Sequence, residues 1–213
     1  MGGNGAPLVP IGDELLFSQY DACLNLGGFS NISLQKNHQR IAFDISPVNV
    51  VLNYFAEKLG KNYDENGDFA RNGAINFKIL EELNTLTFYQ KPAPKSLGVE
   101  FVNSVVFPLL KDETPENIIA TFTEHIAEQI AKVFNDNQLK TVLVTGGGTF
   151  NTYLLEKIRG KSQTELIVPD ENIINFKEAL IFAFMGVLRL RNEVNVLCSA
   201  TGSSENHCSG ILV

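Results

Sequence analysis

The stretch from Arg40 to Phe55 reads RIAFDISPVNVVLNYF and joins a strand pattern to a helix pattern through an acidic residue. A short apolar run leads to Asp44, after which Ser46 is suited to cap a helix and Pro47 to occupy its first turn. Apolar residues then recur at helical spacing, at Val48, Val51, Leu52 and Phe55. The pattern predicts that Asp44 lies at the rim of a sheet, where a strand ends and a helix begins.

A carboxylate in that position has two interpretations. Aspartate is common in turns and at helix caps because its side chain can bond nearby backbone amides. The same geometry can instead hold a functional carboxylate facing a cleft. The stretch alone leaves both interpretations open, so the rest of the chain has to decide between them.

Composition narrows the class of protein. The 213 residues include 44% hydrophobic residues, enough for a core, and their net charge of −7 with no basic run argues against nucleic-acid binding. Three cysteines without paired or metal-type spacing fit a reducing compartment. The beginning of the chain lacks a signal-peptide pattern, and the longest apolar run is about ten residues, where a membrane span needs about twenty. We therefore expect a cytoplasmic protein that has no membrane partner.

The order of patterns along the chain predicts the fold. Three short strands joined by tight turns, at 22–26, 32–35 and 40–43, form an antiparallel meander. Later strands at 141–145 and 166–168 alternate with helices, among them a long one that Thr114 caps and Pro115 opens. Residues 176–190 are apolar almost all round, which predicts a helix buried on most faces. Together these patterns predict an α/β fold of the ribonuclease-H-like type, in which a mixed sheet carries helices on its faces.

The segment 61–112 interrupts this order and is expected to be a mainly helical insertion. It begins with a polar stretch in which the spacing Asp64-x-Asn66-x-Asp68 resembles part of a calcium loop. The glycine and the final glutamate of that motif are not at the required offsets. We therefore interpret the stretch as a solvated loop and predict no metal site in the chain.

Two glycine turns are candidates for anion binding. Gly146, Gly147 and Gly148 follow a buried-type strand and precede a helix, so backbone amides there are open to a ligand. Gly27 and Gly28 lie between the first two strands, where turn amides can form a concavity for an anion. Each turn also has a plain structural interpretation, as a tight connection and as an ordinary hairpin. Two such turns and an acid at a strand end are more informative together than singly.

Two other polar residues have structural and functional interpretations. Glu178 stands at the predicted start of the apolar helix, where the helix dipole favours a carboxylate; it could also face the glycine turns and bind a polar substrate. His125 lies at the margin of the apolar stripe of the long helix, where a lone histidine is most often structural.

The motifs, taken in order, resemble the anhydro-N-acetylmuramic acid kinase family over nearly the whole chain. As a set they are more specific than any one of them. They are Gly2-Gly3-Asn4-Gly5-Ala6-Pro7, Leu24 to Asn31, Phe43-Asp44-x-x-Pro47-x-Asn49, Pro94-Lys95-Ser96-x-Gly98-x-Glu100, Gly146-Gly147-Gly148-x-Phe150-Asn151, Glu178-Ala179 and Thr201-Gly202.

The resemblance implies an actin-like kinase that uses ATP and Mg²⁺. Its reaction opens the anhydro ring of anhydro-N-acetylmuramic acid with water and phosphorylates the 6-oxygen, in recycling of cell-wall sugars. Asp44 matches the general base that activates the water. Substrate contacts are implied for Glu178, Asn49, Asn4 and Gly5. Nucleotide contacts are implied for Gly27, Gly28, Ser30, Asn31, Gly146, Gly147, Gly148 and Asn151.

The chain departs from the family pattern in two respects. Ser46 and Val48 replace the two glycines that usually flank the proline after the aspartate. The family's upstream first lobe, with its own phosphate loop, has no counterpart here, so we expect residues 1–213 to form a C-terminal lobe without the N-terminal one. Such a chain should have little kinase activity alone, and should form a homodimer or pair with a separate N-terminal lobe. A catalytically silent module that binds nucleotide or sugar is the alternative.

Overall fold

The computed structural model describes residues 2–3 and 5–211, and these contain one five-stranded sheet flanked by helices. The strands are β1 (Ala22–Leu26), β2 (Phe29–Lys36), β3 (Gln39–Pro47), β4 (Thr141–Thr145) and β5 (Glu165–Ile167). The α-helices are α1 (Pro10–Leu16), α2 (Asn49–Lys58), α3 (Asp68–Asn72), α4 (Phe77–Asn84), α5 (Thr87–Gln90), α6 (Val99–Phe101), α7 (Phe107–Leu110), α8 (Pro115–Asp136), α9 (Thr152–Arg159), α10 (Glu171–Leu190) and α11 (Cys198–Thr201). Shorter helical segments are the 3₁₀ turns Glu65–Gly67 and Gly147–Phe150 and the π-helical turn Val102–Val106.

The strand order across the sheet is β3-β2-β1-β4-β5. β1, β2 and β3 pair antiparallel as a meander, whereas β4 pairs parallel with β1 and β5 pairs parallel with β4. Tight turns suffice for the meander, and the parallel strands are joined through helices, as parallel pairing requires. The predicted α/β fold, a mixed sheet of ribonuclease-H-like order, is confirmed.

Helices cover both faces of the sheet. The larger core lies between one face and the helices α2, α8 and α9, and includes the fully buried Phe122 and Phe134 of α8. The smaller core lies on the other face, where Ile11 of α1 and Ile181 of α10 pack with Leu143 of β4. Both faces are therefore apolar, which matches the near-continuous apolar run of the interior strand β4.

An ion pair lies within the smaller core. Asp13 of α1 and Lys177 of α10 are 3% and 6% exposed and bond each other directly. Ser33 of β2 donates a second hydrogen bond to Asp13, and Arg40 of β3 donates one to Ser33. The network ties both helices of this face to the sheet, and it satisfies charges that would be costly to bury alone.

Helices fill the region between α2 and α8. The 3₁₀ turn Glu65–Gly67 and helices α3 to α7 lie there, and no strand is found among residues 59–114, all of which the structure describes. The polar stretch predicted to be a solvated loop is partly helical instead. Asp64 is 5% exposed and accepts hydrogen bonds from the amides of Phe69 and Ala70, which start α3. The treatment of 61–112 as an insertion stays a prediction.

The structure corrects the predicted boundary after Asp44. β3 continues to Pro47, opposite Phe29, and α2 begins only at Asn49. Ser46 is not a helix cap: its amide donates to the Ser30 hydroxyl, which in turn donates to the Ser46 carbonyl. Pairing with β2 thus outcompetes the local capping signal. Asp44 lies inside the strand, three residues before its end.

The last long helix also differs from its prediction. α10 begins at Glu171 because Asp170 caps it, accepting hydrogen bonds from two amides of the first turn. Its buried residues recur every three or four positions, so only one face meets the sheet, while the opposite apolar face is exposed. The expected burial on most faces is wrong for the described residues. Despite this apolar composition, none of the helices described here has the length and hydropathy needed to cross a membrane.

Candidate active site

Three strand ends meet at one edge of the sheet. β3 runs in the direction of β1 because each is antiparallel to β2, and β4 is parallel to β1. Their carboxyl ends therefore lie side by side and carry the Gly27–Gly28 turn, the segment after Asp44, and the Gly146–Gly148 turn. Crevices outside the carboxyl ends of such strands are the usual ligand sites of α/β sheets.

Asp44 is anchored through one carboxylate oxygen. Its Oδ2 accepts a hydrogen bond of 2.7 Å from the Leu97 amide, and its own amide donates to the Lys95 carbonyl at 2.9 Å. Among the residues that the structure describes, Oδ1 has no hydrogen-bond partner. Burial raises the pKa of this carboxyl group, while the Leu97 amide lowers it to a smaller extent. The result is a held carboxylate with one free basic oxygen.

A β-bulge lies directly beside this carboxylate. Ser30 pairs with Ser46 and Asn31 pairs with Asp44, so Ile45 is an extra residue on β3. Bulges turn a strand locally and re-aim neighbouring side chains, and they are common next to active sites. Asn31 is exposed and directly opposite Asp44, so the two side chains are neighbours on one face of the sheet.

The Gly27–Gly28 turn is held from below by the start of α2. The Val48 amide donates to the Gly28 carbonyl at 2.8 Å, and the Asn49 side-chain amide donates to the Gly27 carbonyl at 2.8 Å. A side chain built at Gly28 would meet nothing within 4 Å, so the turn is open outward. Ser30 is fully buried, and its hydroxyl is bonded to Ser46. Ser30 and Asn49 therefore act on the shape of the turn.

The Gly146–Gly148 turn is closed on one side and open on the other. A Cβ at Gly146 would overlap the Asn25 side chain, and one at Gly148 would stand 2.8 Å from the Leu26 Cβ. Gly146 also has φ of +86°, which other residues rarely adopt. At Gly147, by contrast, an added Cβ would meet nothing within 4 Å. Two of the glycines permit close packing on β1, and the third leaves backbone accessible.

A cavity of about 470 Å³ opens beside Gly147 and Gly148. Asn49 and Asn53 of α2 line one wall, and the segment 63–66 lines another. Asn151 contributes to the lining while its side chain caps α9 by accepting from the Leu154 amide at 2.9 Å. Tyr63 and Phe150, which are 58% and 44% exposed, provide aromatic surface at this cavity. The volume suits a small organic ligand.

Several of these residues have no distinguishing pattern in the sequence. Asn53 reads as an ordinary polar position of a helix, and 63–66 as a solvated loop. The one signal available was the run of aromatic, asparagine and acidic residues at 62–66, unusual for a plain linker. Its position at the glycine turn depends on a hydrogen bond between distant segments, from the Thr152 hydroxyl to the Asn66 carbonyl.

The predicted substrate contacts are only partly brought together. Glu178 is exposed and lies in the middle of α10, so the expected position at the helix start is wrong. The start of α10 does touch the site, because the Gly146 amide donates to the Ile174 carbonyl at 3.3 Å. Gly5 is exposed, on a segment whose Gly3 packs closely against Ser203. Asn4 lies outside the described residues.

His125 is completely buried on α8. Its Nδ1 lies 2.7 Å from Asn84 Oδ1 and its Nε2 lies 2.8 Å from the Tyr89 hydroxyl, while Gln129 also donates to Asn84. Burial lowers the pKa of His125 to about 3. The imidazole is therefore neutral and fully bonded, in agreement with its structural interpretation.

The donor set of the site is suited to a nucleotide more than to a resident metal. Open backbone at Gly28 and Gly147, beside a cavity with amide and aromatic walls, fits phosphate and a planar base. The Thr149 hydroxyl in the same turn is buried with no hydrogen-bond partner among the described residues. No group of three histidine, cysteine or acidic side chains is arranged to hold a metal within 2–3 and 5–211.

Comparison with known proteins identifies the family. The family model described as anhydro-N-acetylmuramic acid kinase matches residues 1–213. An anhydro-N-acetylmuramic acid kinase of Haemophilus influenzae is 34% identical over 95% of this chain and 59% of its own length. That of Francisella tularensis subsp. novicida is 33% identical over 95% and 58%. Among solved structures, the activator of the 2-hydroxyisocaproyl-CoA dehydratase from Clostridium difficile matches with a TM-score of 0.49 and 16% identity, over 81% of this chain and 61% of that one.

The matches cover only part of the length of each relative. The chain spans about 60% of the length of the curated relatives that it matches. The residues matched by the family model include all of those that form the sheet edge. The chain therefore belongs to the anhydro-N-acetylmuramic acid kinase family.

Proposed function

We propose that this chain supplies one side of the active site of a kinase that phosphorylates anhydro-N-acetylmuramic acid while opening its anhydro ring with water. The observation that carries the proposal is the geometry of Asp44. One of its oxygens is held by the Leu97 amide and the other is free, at the edge where the glycine turns meet. A fixed carboxylate with a free oxygen can accept a proton from water without having to be oriented first.

The chemistry proceeds in one balanced sequence. Water attacks the anomeric carbon and gives a proton to Oδ1 of Asp44. The bond from that carbon to the bridging oxygen breaks, and the bridging oxygen becomes the 6-oxygen of the opened sugar. This oxygen attacks the γ-phosphorus of ATP, and ADP leaves. Burial raises the pKa of Asp44, which makes the carboxylate a better proton acceptor than an exposed aspartate.

The nucleotide is proposed to lie along the two glycine turns. Its phosphates would meet the backbone at Gly27–Gly28 and Gly147, where no side chain blocks approach. Its base and ribose would enter the 470 Å³ cavity between α2, the segment 63–66 and Phe150. Mg²⁺ commonly keeps several waters and binds mainly through nucleotide phosphates, so it would not need a cluster of protein ligands.

Glu178 is a proposed sugar contact on this side of the site, and so is Asn31, for which the family motif implies a nucleotide contact and which we reassign because of its position. Asn31 is exposed directly opposite Asp44. Glu178 is exposed one helical turn beyond Ile174, whose carbonyl is bonded to Gly146. Gly5 and Asn4 stay predicted substrate contacts on the basis of the family motif.

The 213 residues alone are expected to bind nucleotide but turn over slowly or not at all. Phosphoryl transfer depends on contacts to the phosphates from several directions, and the described residues supply donors at one edge of one sheet. The alternative function, a silent module that binds nucleotide or sugar, shares the nucleotide site and differs in lacking a working partner lobe.

Two measurements test this proposal. Titration calorimetry of the chain with ATP and Mg²⁺ should detect binding, and Gly147→Ala should weaken it about tenfold or more by placing a methyl group in the open backbone. The melting temperature should stay unchanged, because the added Cβ meets nothing within 4 Å. Gly186→Ala is the matched control, because a Cβ added at this position of α10 also meets nothing within 4 Å. Gly60→Ala would not serve, because Gly60 has φ of +78° and alanine would be strained there.

An assay with ATP and the anhydro sugar separates the two functions. Turnover that appears when a relative's N-terminal lobe is added would support the kinase, and binding without turnover under that condition would favour the silent module. Failure of ATP to bind at all, or equal binding by the Gly147→Ala protein, would overturn the assignment of the glycine turns.

A further inference from the structure

The segment 91–98 passes along the outer edge of β3 and holds Asp44 in place. It follows α5 and contains no helix or strand of its own. The Asp44 amide donates to the Lys95 carbonyl at 2.9 Å, and the Leu97 amide donates to Asp44 Oδ2 at 2.7 Å. Because β3 is an edge strand, the segment covers backbone that would otherwise be open. The position of the carboxylate therefore depends on what fixes this segment.

The Lys95 side chain attaches the segment to α5. Its Nζ donates to the Phe88 carbonyl at 3.2 Å and lies 4.6 Å from the centre of the Phe88 ring. A lysine bonded to the last carbonyls of a helix and a cation over an aromatic face are both favourable contacts. One ammonium group makes both of them, so the loss of that single charge would remove both.

The helix that receives Lys95 is itself firmly held. Phe88 is buried, and its ring packs against that of Phe101 with the centroids 5.5 Å apart. The hydroxyl of the adjacent Tyr89 lies 2.8 Å from Nε2 of His125, in the middle of the long helix α8. A side chain bonded to Phe88 is therefore bonded to a rigid part of the fold.

The bond from Lys95 is the independent attachment of the segment. Residues 92–97, all of which the structure describes, make two other hydrogen bonds, and both go to Asp44. Those two cannot fix the segment independently of the aspartate. Pro92 and Pro94 have no amide hydrogen to donate. The position of Leu97 over the carboxylate thus depends on the Lys95 ammonium.

Lys95 adopts this position against a cost. Burial, and to a smaller extent the nearby Lys132, lowers the pKa of its ammonium group. A lysine that keeps its charged end in water avoids this cost, and Lys91 of the same segment is exposed. The two contacts with Phe88 compensate Lys95 for the hydration that it loses.

The lysine acts on the carboxylate indirectly. Lys95 lines a cavity of about 210 Å³ together with Ile41 and Phe43 of β3. Successive side chains of a strand point to opposite faces, so Asp44 is on the face away from Phe43. With its Nζ bonded to Phe88, Lys95 reaches the carboxylate only through the backbone of 95–97.

We propose, on the basis of the function proposed above for Asp44, that Lys95 is a positioning residue. By anchoring the segment 91–98 to α5, it holds Oδ2 of Asp44 on the Leu97 amide and leaves Oδ1 free to accept a proton from water. Without this anchor the carboxylate can shift by about 1 Å, which is enough to lower a rate about tenfold or more.

Amide hydrogen exchange followed by NMR tests the anchor in the 213-residue chain itself. In Lys95→Met, which keeps the aliphatic stem and loses the charge, the Leu97 amide should exchange about tenfold faster or more. Lys95→Arg should keep most of the protection, because a guanidinium group can also donate to a carbonyl and stack on an aromatic ring. Unchanged exchange of the Val144 amide in β4 shows that each variant is folded.

Lys91→Met is the matched control. It removes one positive charge from the same segment, but the Lys91 side chain is exposed and makes no hydrogen bond or ion pair with the described residues. The Leu97 amide should exchange in this variant as it does in the unmodified chain.

Turnover with ATP and the anhydro sugar, measured with an N-terminal lobe present, tests the effect on Asp44. Lys95→Met should lower kcat about tenfold or more while the KM for ATP changes less than about twofold, because the proposed nucleotide contacts are at the glycine turns. Lys95→Arg should recover most of kcat, and Lys91→Met should match the unmodified protein. A lysine with only a structural role would change the amount of folded protein and leave kcat per folded molecule unchanged.

Three results would overturn the proposal. The first is a Leu97 amide as well protected in Lys95→Met as in the unmodified chain. The second is a loss of this protection with unchanged kcat. The third is a Lys91→Met protein that loses as much kcat as Lys95→Met, because charge and not the anchor would then matter. If the unmodified chain shows no turnover with the lobe present, the proposed function fails, whereas the exchange of the Leu97 amide still decides whether Lys95 anchors the segment.

Discussion

Protonation of the buried His125 should make the folded protein sensitive to acid over a defined pH interval. The imidazole is completely buried, bonded to Asn84 and Tyr89, and its pKa is lowered from 6.5 to about 3. In the unfolded chain the same side chain titrates near its ordinary value. Below about pH 6.5 the unfolded state therefore binds a proton that the folded state does not bind, and the free energy of unfolding falls as the pH falls toward 3.

The size of the effect follows from the two pKa values. Each pH unit below the unfolded pKa removes about 1.4 kcal/mol from the free energy of unfolding. Lowering the pH from about 7.5 to about 5 should therefore cost about 2 kcal/mol through this residue alone. For a protein of this size that corresponds to a fall in melting temperature of roughly 4 to 8 °C.

Urea unfolding of the unmodified chain and of His125→Gln, at both pH values, isolates the contribution. Glutamine retains a polar group in the cavity but does not titrate, so this variant should lack about 2 kcal/mol of the pH dependence whatever its stability at neutral pH. The other titrating groups, including Asp44 and Asp64 with their raised pKa values, are common to both proteins and cancel in the comparison. If the two proteins lose the same free energy between the two pH values, the imidazole is not held neutral and the reasoning fails.

Three further outcomes follow from the site and the core. In the complete kinase, Asp44→Asn should lower turnover in a coupled assay at least about a hundredfold, and calorimetry should show an unchanged ATP dissociation constant. Because burial raises the pKa of Asp44, the activity of the unmodified enzyme should fall as the pH drops through that raised value. Lys177→Met should destabilise the chain by about 3 kcal/mol in urea unfolding, because Asp13 is left buried without its cation, and Asp13→Leu combined with Lys177→Met should recover most of that loss. Gly148→Ala should lower the melting temperature, unlike Gly147→Ala, because its Cβ would stand 2.8 Å from the Leu26 Cβ.

The order of the strands along the chain was accessible from the sequence because it rests on short-range patterns. Residues 22–26 and 141–145 are apolar runs bounded by turn residues, and both are strands with the predicted limits. Thr114 and Pro115 likewise mark the start of α8, where the Thr114 hydroxyl accepts from the Asn117 amide. Such signals depend on a few neighbouring residues, so they survive in the tertiary structure.

The misplaced features depend on partners that are distant in the chain. Ser46 has the residue type and spacing of a helix cap, but its backbone amide and carbonyl are both hydrogen-bonded to the Ser30 hydroxyl of the neighbouring strand. The apolar composition of α10 predicts burial, but composition does not specify which surface covers each face. The apolar pattern predicted a helix beginning at residue 176, which placed Glu178 at its start. The actual cap, Asp170, lies farther upstream, so Glu178 is in the middle of the helix. Each error came from applying a local rule where tertiary pairing or packing decides.

The candidate site also has one part that the sequence predicts and another that it does not. The two glycine turns can be found from sequence, because each follows directly after an apolar strand pattern. The cavity beside Gly147 could not, because its wall at 63–66 is brought there by contacts with α9, including the Thr152 to Asn66 bond. The free space at Gly147 and the tight packing at Gly146 and Gly148 are also properties of the folded chain.

Asp64 offers a comparison with Asp44, because its carboxylate bonds the backbone at the start of helix α3, whose N-terminal cap position is Gly67. Asp64 uses both carboxylate oxygens on the amides of Phe69 and Ala70, so neither oxygen is without a protein partner. Burial raises the pKa of both residues, so the pKa does not separate them. The hydrogen bonds do, because Asp44 gives one oxygen to Leu97 and is held inside a strand beside a bulge, with no helix to cap. The capping interpretation of Asp44 is therefore wrong, and its free oxygen is the physical reason for proposing it as the base.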